Sequence, residues 1–237
     1  MSDVFEHLRP DSDAPEPGLG GGAPGWPTEA LAATELGVDV ARTEADLDAV
    51  GRLRYELGLV GDDTRRRGAD HRRRSLVEPI DRRSLVFFAR RKNRALASVR
   101  LVRAADAVKD PHLGWLLEAA QPTDLATTVV NSRFAALPER RARAMIVPMF
   151  RQMYRSGLIA GARECFIATR SDLVPVFGRF GFRAIADRSS DPGRRQILKL
   201  ALHDLDHLER INSPLRDIAA EFAGRSGSAA RTGGEGR

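Results

Sequence analysis

The sequence predicts one domain of the mixed α/β class, and two observations support this prediction. Strand-like runs and amphipathic helical segments alternate through the middle of the chain. A short polar turn joins the early strands, as in an antiparallel hairpin, whereas helices separate the later strands, as in βαβ units. Both ends of the chain are rich in glycine, proline or small polar residues. We therefore expect a domain over 38–210, a flexible arm at 1–37 and a mostly disordered tail at 211–237.

The first half of the domain predicts a helix, a long loop and a hairpin. Apolar residues three to four apart indicate an amphipathic helix over 44–59, with Thr43 as its cap. A polar, arginine-rich loop follows over 61–83, and loops longer than about 15 residues are usually functional or disordered. The runs 84–89 and 95–102 flank a short polar turn and predict the two strands of the hairpin.

The second half predicts helices between buried strands. Pro148 lies inside the helical run 139–156 and must kink that helix or reset its start. The remaining expected elements are strands at 127–134, 163–169, 182–186 and 196–202, and helices at 111–120 and 173–179.

Composition excludes several classes of protein. The chain has 237 residues, is 42% hydrophobic and carries a net charge of +6. Its one cysteine, Cys165, forms no internal disulfide or cysteine-based zinc site, and we expect a buried core thiol. No stretch approaches the roughly 20 apolar residues of a membrane span, and no secretory signal pattern is present, so we expect a cytoplasmic protein. His203 and His207 are one helical turn apart without a third ligand nearby, so no metal site is expected.

The positive charge alone does not identify a partner. Nucleic acid, acidic proteins and phosphate-bearing cosubstrates would all be attracted to such a surface. Only 6% of the residues are aromatic, and no zinc-finger spacing, ribonucleoprotein motif or recognition helix is visible. We therefore expect no nucleic-acid partner.

Four short motifs occur in order along the predicted domain: LRYEL at 53–57, EPID at 78–81, SVRLV at 98–102 and NSRF at 131–134. In order and approximate spacing they resemble the autoinducer synthases that make N-acyl homoserine lactones, and the related N-acyl amino acid synthases. A late helix-turn-strand segment, SDLVPVFGRFGFRAI, resembles the GNAT superfamily of acyltransferases to which both belong. The resemblance implies a GNAT-like fold, with a mixed central sheet flanked by helices.

The same resemblance implies an enzyme, an N-acyltransferase. Such an enzyme moves a fatty acyl group from acyl carrier protein to the amine of an amino acid or of S-adenosylmethionine. Its co-substrate is the acyl-phosphopantetheine of the carrier protein, or acyl-CoA, and it holds no tightly bound cofactor. Two alternatives remain open: an acetyl-CoA-dependent GNAT N-acetyltransferase, and a catalytically lapsed member of the fold.

Matching the motifs residue by residue implies a set of site residues. Glu78 and Asp81 match the acidic pair of the family motif and are the catalytic candidates. Four further residues match substrate-binding positions: Arg54, Arg100, Ser132 and Arg133. Two positions depart from the pattern. Val130 stands where the family carries a glutamate that is a general-base candidate, and Gly58 stands where an aromatic residue is expected.

Strand alternation gives an independent view of two arginines. Arg100 lies between Val99 and Leu101 in a strand, so it faces away from both. By the same rule Arg133 faces away from Ser132. A buried ionic cluster of the two arginines with Glu78 is the structural alternative to a catalytic role.

An arginine-rich helical run follows the NSRF motif and is a candidate surface for an acidic carrier protein. The candidate docking residues are Arg140, Arg141, Arg143, Arg151 and Arg155. The segment ALPERRARAMIVPM contains no glycine, which weakens the case for a glycine-rich CoA pyrophosphate turn. Met145, Met149 and Met153 form one helical stripe, and either a core stripe or the wall of an acyl tunnel fits this spacing.

Overall fold

A seven-stranded mixed sheet forms the centre of the computed structural model, which describes residues 25–32, 35, 37–58, 69–185 and 195–232. The strands are β1 (Asp39–Val40), β2 (Ala69–Asp70), β3 (Ser75–Leu76), β4 (Leu85–Arg91), β5 (Arg94–Arg103), β6 (Thr128–Ala136), β7 (Glu164–Arg170), β8 (Arg183–Ala184) and β9 (Arg195–Ala201). The order in the large sheet is β1-β4-β5-β6-β7-β9-β8, and β2 and β3 form a separate small hairpin. Neighbouring strands of the large sheet are antiparallel except β6 and β7, which are parallel. This arrangement confirms the predicted mixed central sheet.

Helices cover both faces of this sheet. They are α1 (Thr28–Ala32), α2 (Glu44–Glu56), α3 (Ala104–Ala107), α4 (Gly114–Ala120), α5 (Arg140–Ala144), α6 (Ile146–Ile159), α7 (Val174–Gly178), α8 (Leu205–Arg210) and α9 (Arg216–Thr232). On one face, a continuous apolar core joins the sheet to α1, α6 and α9. On the opposite face the apolar contacts form two separate clusters, one under α2 and α5 and one under α3 and α4.

Local sequence signals explain where the main helices begin. Thr43 and Asp46 form a reciprocal capping box at the start of α2. Pro148 lies in the first turn of α6, which begins at Ile146 immediately after α5 ends at Ala144. The predicted helical run at 139–156 is therefore two helices, because the proline resets the start of the second. Met149 and Met153 are fully buried in the core between α6 and the sheet.

The folded region is longer than the predicted 38–210. Trp26 and Leu31 are buried at α1, ahead of the predicted boundary. Beyond it, Leu215 and Ile218 pack in the core at the start of α9, where the expected tail begins. The sequence conceals α9 because glycine and serine, which are weaker helix formers than alanine, interrupt its second half. The rest of the predicted arm, 1–24, and residues 233–237 lie outside the described residues.

The predicted long loop is partly ordered structure. Residues 69–83 form the β2–β3 hairpin and a 3₁₀ turn over Pro79–Arg83, whereas 59–68 lie outside the described residues. Among the helices of the described ranges, none is both long and apolar enough to cross a bilayer.

Candidate active site

A β-bulge in β6 brings two polar side chains to one face of the sheet. Ser98 faces Ala135 and Arg100 faces Ser132 across β5 and β6, so β6 contains one extra residue between these pairs. Arg133 occupies that position with φ of 54°, a left-handed conformation that interrupts strand alternation. Sequence alternation predicted that Ser132 and Arg133 face opposite sides, and this is wrong because of the bulge. Both side chains contact the same polar cluster.

The EPID motif forms the 3₁₀ turn that supplies the acidic side chains. Pro79 is the first residue of the turn, and its fixed backbone angle suits that position. Asp81 Oδ2 accepts a hydrogen bond of 2.7 Å from the backbone N–H of Glu78, which closes the turn. Ile80 and Asp81 are both buried, so the turn is fixed against the sheet.

Five side chains from four elements form one buried ionic cluster. Arg100 Nη1 donates to Glu78 Oε2 at 2.8 Å and to Asp81 Oδ1 at 2.9 Å. Arg54, on α2, donates from Nη1 to Asp81 Oδ2 at 2.8 Å. Arg133 holds Glu78 with two hydrogen bonds, from Nε at 2.7 Å and from Nη2 at 2.6 Å. These five residues are called the ionic cluster below, and the sequence identified all of them.

The ionic cluster occupies the gap between the two apolar clusters on one face of the sheet. Arg100 pairs across strands with Val86, which belongs to the cluster under α2, and lies two residues from Val102, which belongs to the cluster under α3 and α4. Arg100 Nε also donates to Ser132 Oγ at 3.0 Å. The polar site therefore interrupts an otherwise apolar face of the sheet.

Both carboxylates of the ionic cluster stay ionised. Burial alone would raise the pKa of Glu78, but the hydrogen bonds from Arg133 and the charges of Arg100 and Arg133 lower it to about 2. Burial opposes the ionised form of Asp81 as well, and the charges of Arg54 and Arg100 hold its pKa far below the ordinary value. Every carboxylate oxygen of the pair accepts at least one hydrogen bond from an arginine.

The ionic cluster carries more positive than negative charge, because three arginines face two carboxylates. Arg54 is 1% exposed, and burial lowers its pKa although Asp81 opposes this. Its Nε and Nη2 atoms have no hydrogen-bond partner among the described residues. The site therefore has a residual affinity for an anion.

The parallel strands β6 and β7 separate next to the ionic cluster. They pair over three positions, from Thr128 with Glu164 to Val130 with Phe166. Beyond these pairs, residues 131–136 and 167–170 have no strand partner across this boundary. Backbone hydrogen-bonding groups at such a split are available to an extended ligand.

Among the described residues, two cavities adjoin the ionic cluster. A cavity of about 90 Å³ lies at the strand split and is lined by Arg100, Ser132 and Arg133 together with residues of α4, β7 and β9. A second cavity, of about 230 Å³, lies against Glu78 and the segment between α3 and α4. His112 lines both cavities, and sequence reasoning did not identify it. A single histidine in DPHLGW has no local pattern that could have revealed this position.

The five arginines predicted for carrier-protein docking divide into two groups. The first group is exposed on α5 and consists of Arg140, Arg141 and Arg143. This helix follows the open end of β6, which is the end of the strand that is not paired with β7. Arg151 instead pairs with Asp217 at 2.7 Å, and Arg155 pairs with Glu221 at 2.7 Å, so these two connect α6 to α9. Of the five arginines, only the three on α5 therefore remain candidates for docking of a carrier protein.

The positions that depart from the family motif are also structural. Val130 is fully buried in the apolar cluster under α3 and α4. The position where the resemblance implies a glutamate therefore belongs to the core and supplies no carboxylate. Gly58 has φ of 69° and ends the described segment after α2. Cys165 is 2% exposed, and burial raises the pKa of its thiol to about 12, so it is no nucleophile at neutral pH. Within the described ranges, no group of three metal-ligating side chains occurs.

Comparisons with solved structures show the fold. The CoA-dependent acyl-homoserine lactone synthase BjaI, with S-adenosylmethionine and isopentyl-CoA, aligns with a TM-score of 0.53 at 16% identity, over 71% of this chain and 82% of its own. TofI, in a ternary complex with an inhibitor and MTA, aligns with a TM-score of 0.53 at 19% identity, over 75% of this chain and 97% of its own. LasI, an AHL synthase, aligns with a TM-score of 0.50 at 14% identity, over 66% of this chain and 82% of its own. No curated protein matches the sequence.

A family model gives the more specific relationship. The model described as N-acyl amino acid synthase FeeM matches residues 58–202. This span is more than half of the chain, and it contains the EPID turn, both central strands and the strand split. The chain therefore belongs to the N-acyl amino acid synthase FeeM family and is an N-acyltransferase.

Proposed function

We propose that this enzyme transfers a fatty acyl group from acyl carrier protein to the amine of a free amino acid. The observation on which the proposal depends is the position of the ionic cluster beside the split between β6 and β7. The cluster is suited to a small zwitterion, and the split is suited to an extended thioester arm. A transferase needs both substrates next to each other.

The acceptor site is the cavity at Arg100, Ser132 and Arg133. The excess positive charge of the ionic cluster attracts the carboxylate of an amino acid. Glu78 is a fixed anion that attracts the ammonium group, and the lowered pKa makes it a weak base. Asp81 and Arg54 lie behind this surface and hold Arg100 and Glu78 in place. Of the matched residues, Glu78, Arg100, Ser132 and Arg133 are therefore assigned to substrate contact, and Arg54 and Asp81 to positioning.

The donor site is the strand split together with α5. Unpaired backbone groups of β6 and β7 suit hydrogen bonding to the amide groups of a phosphopantetheine arm. The carrier protein would approach at the open end of β6, because exposed arginines follow this end on α5 and attract an acidic protein and its phosphate. These arginines are Arg140, Arg141 and Arg143.

The chemistry is direct transfer between the two substrates. The amine nitrogen attacks the thioester carbonyl, and the positive charge of Arg100 and Arg133 stabilises the oxyanion that develops. The C–S bond then breaks and releases the carrier thiol. No acyl-enzyme is required, in agreement with the buried, protonated Cys165.

The test combines the purified protein with palmitoyl thioesters of acyl carrier protein or of CoA, and with each amino acid or S-adenosylmethionine. Mass spectrometry then identifies the products. We expect N-palmitoyl amino acids from the carrier-protein thioester, and loss of product in Arg133→Gln but not in Arg163→Gln, which alters an exposed arginine at the other end of β7. Absence of any N-acyl product from the wild type would overturn the function, and product only from the CoA thioester would overturn the assignment of the donor.

A further inference from the structure

The proposed transfer needs a proton acceptor that the ionic cluster does not supply. An amino acid binds as an ammonium ion, and its nitrogen attacks a thioester only after one proton has been removed. All carboxylate oxygens of Glu78 and Asp81 already accept hydrogen bonds from arginines. A different group must therefore accept this proton.

We propose that His112 is the general base of the acyl transfer, an inference that rests on the proposed function. His112 lines both cavities, the smaller one together with Arg100 and Ser132 and the larger one together with Glu78. It is half-buried, which leaves it open to a ligand in these cavities. A histidine is the side chain best suited to accept and return protons near neutral pH.

The backbone holds this residue in place while the ring stays unengaged. The His112 N–H donates to Asp110 Oδ1 at 2.8 Å, and the His112 carbonyl accepts from Trp115 Nε1 at 2.9 Å. Within the described residues, neither ring nitrogen of His112 makes a hydrogen bond. An imidazole fixed through its backbone, with its nitrogens available, is the arrangement that a base requires.

The other ionisable groups around His112 are less suited to the role. In the larger cavity, Asp106 pairs with Arg103 at 2.7 Å, and Asp110 accepts from the His112 backbone. Arg83 and Lys109 in that cavity are cations, as are Arg100, Arg133 and Arg195 in the smaller one.

The proton transfers balance as follows. One proton moves from the substrate ammonium to a ring nitrogen of His112, and the freed lone pair forms the C–N bond. The C–S bond breaks as the tetrahedral intermediate collapses. The imidazolium returns its proton to the leaving thiolate, and the remaining excess proton of the nitrogen passes to solvent. The products are the amide and the free thiol of the donor.

The test compares His112→Gln, His112→Ala and the control His203→Gln, which alters an exposed histidine. The assay uses the acyl thioester and amino acid that the wild type turns over best, with kcat and kcat/KM measured from pH 5 to 9. We expect His112→Gln to lower kcat by about 100-fold or more, to leave KM for the amino acid nearly unchanged and to abolish the acidic limb of the pH profile. Added imidazole should restore part of the activity of His112→Ala, and His203→Gln should match the wild type.

Three outcomes would overturn the inference. Wild-type rates and pH dependence in a folded His112→Gln variant would reject His112 as the base while leaving the proposed function intact. A raised KM with unchanged kcat, without rescue by imidazole, would indicate a binding or structural role and would also reject it. An inactive wild type would reject the proposed function and this inference together.

Discussion

Arg100 Nη1 lies 2.8 Å from Glu78 Oε2 at the centre of the sheet, with side chains that are 2% and 4% exposed. An ion pair so deeply buried is stabilising only while every member keeps its partners, since removal of one leaves an uncompensated charge in a medium of low polarity. The same geometry fixes the polarity and shape of the cavity at the strand split. Under the proposed function, stability and substrate binding are therefore coupled through these two residues.

Glu78→Gln should destabilise the protein strongly. The substitution preserves volume but removes the anion that Arg100 and Arg133 share, so we expect the free energy of unfolding to fall by about 3–5 kcal/mol. Urea denaturation measures this change. The matched control is Asp48→Asn, which removes an exposed i,i+4 pair with Arg52 and should cost about 0.5 kcal/mol or less. Equal losses in the two variants would show that the cluster has no special energetic role.

The stabilising effect of Glu78 should depend on pH in one direction. Its pKa is about 2 in the folded protein and 4.5 ordinarily, so its contribution is complete above pH 4.5 and is lost as the pH falls toward 2. The difference in free energy of unfolding between wild type and Glu78→Gln should be constant from pH 5 to 7 and shrink below pH 4.5. Denaturation at pH 3 and pH 7 measures it. A difference that is the same at both values would contradict the lowered pKa.

The sequence predicted the members of the ionic cluster because each of them lies in one of the four short motifs. The order of these motifs along the chain carried the family resemblance. Strand alternation also predicted correctly that Arg100 faces away from Val99 and Leu101, which lie in the core on the other face. The position of Arg133 was not predictable in this way, since a bulge is set by the pairing of two strands and not by one strand's pattern.

Other features were hidden for different physical reasons. The helix α9 gains its stability from tertiary contacts at Leu215 and Ile218, and its own composition is a weak helical signal. His112 belongs to the site only because the segment after α3 folds against the EPID turn and the strand split. Such a meeting of distant segments leaves no trace in a local pattern.

Gly51→Ala should disturb the EPID segment from a distance. A Cβ at Gly51, on α2, would lie 2.2 Å from Ser75 Oγ and 2.8 Å from Val77 Cγ2, so the chain leading to Glu78 would have to move. We expect a loss of about 1–3 kcal/mol in the free energy of unfolding, together with reduced acyltransferase activity.

The matched control for this substitution is Gly178→Ala. Gly178 ends α7, and a Cβ there would meet nothing within 4 Å. This variant should be neutral or more stable by up to about 1 kcal/mol, because alanine restricts the unfolded chain. Thermal unfolding of both variants provides the comparison, and a Gly51→Ala protein as stable as the wild type would show that α2 does not pack tightly on this segment.

Reversal of two charges on α5 should weaken the use of a carrier-protein donor. Arg140 and Arg143 are exposed and follow the open end of β6, so the double variant Arg140→Glu/Arg143→Glu should repel an acidic carrier. We expect KM for acyl carrier protein thioester to rise about 10-fold or more at low salt, by the general strength of electrostatic steering, with a smaller effect at high salt. The control Arg163→Glu/Arg210→Glu makes the same change in net charge at two exposed positions outside α5, one just before β7 and one at the end of α8, and should leave KM nearly unchanged. Because electrostatic steering acts on the rate of encounter, kcat at saturating donor should be the same in all three proteins.

Steady-state kinetics at two salt concentrations measure these effects, and equal KM values in the two double variants would remove α5 from the docking surface.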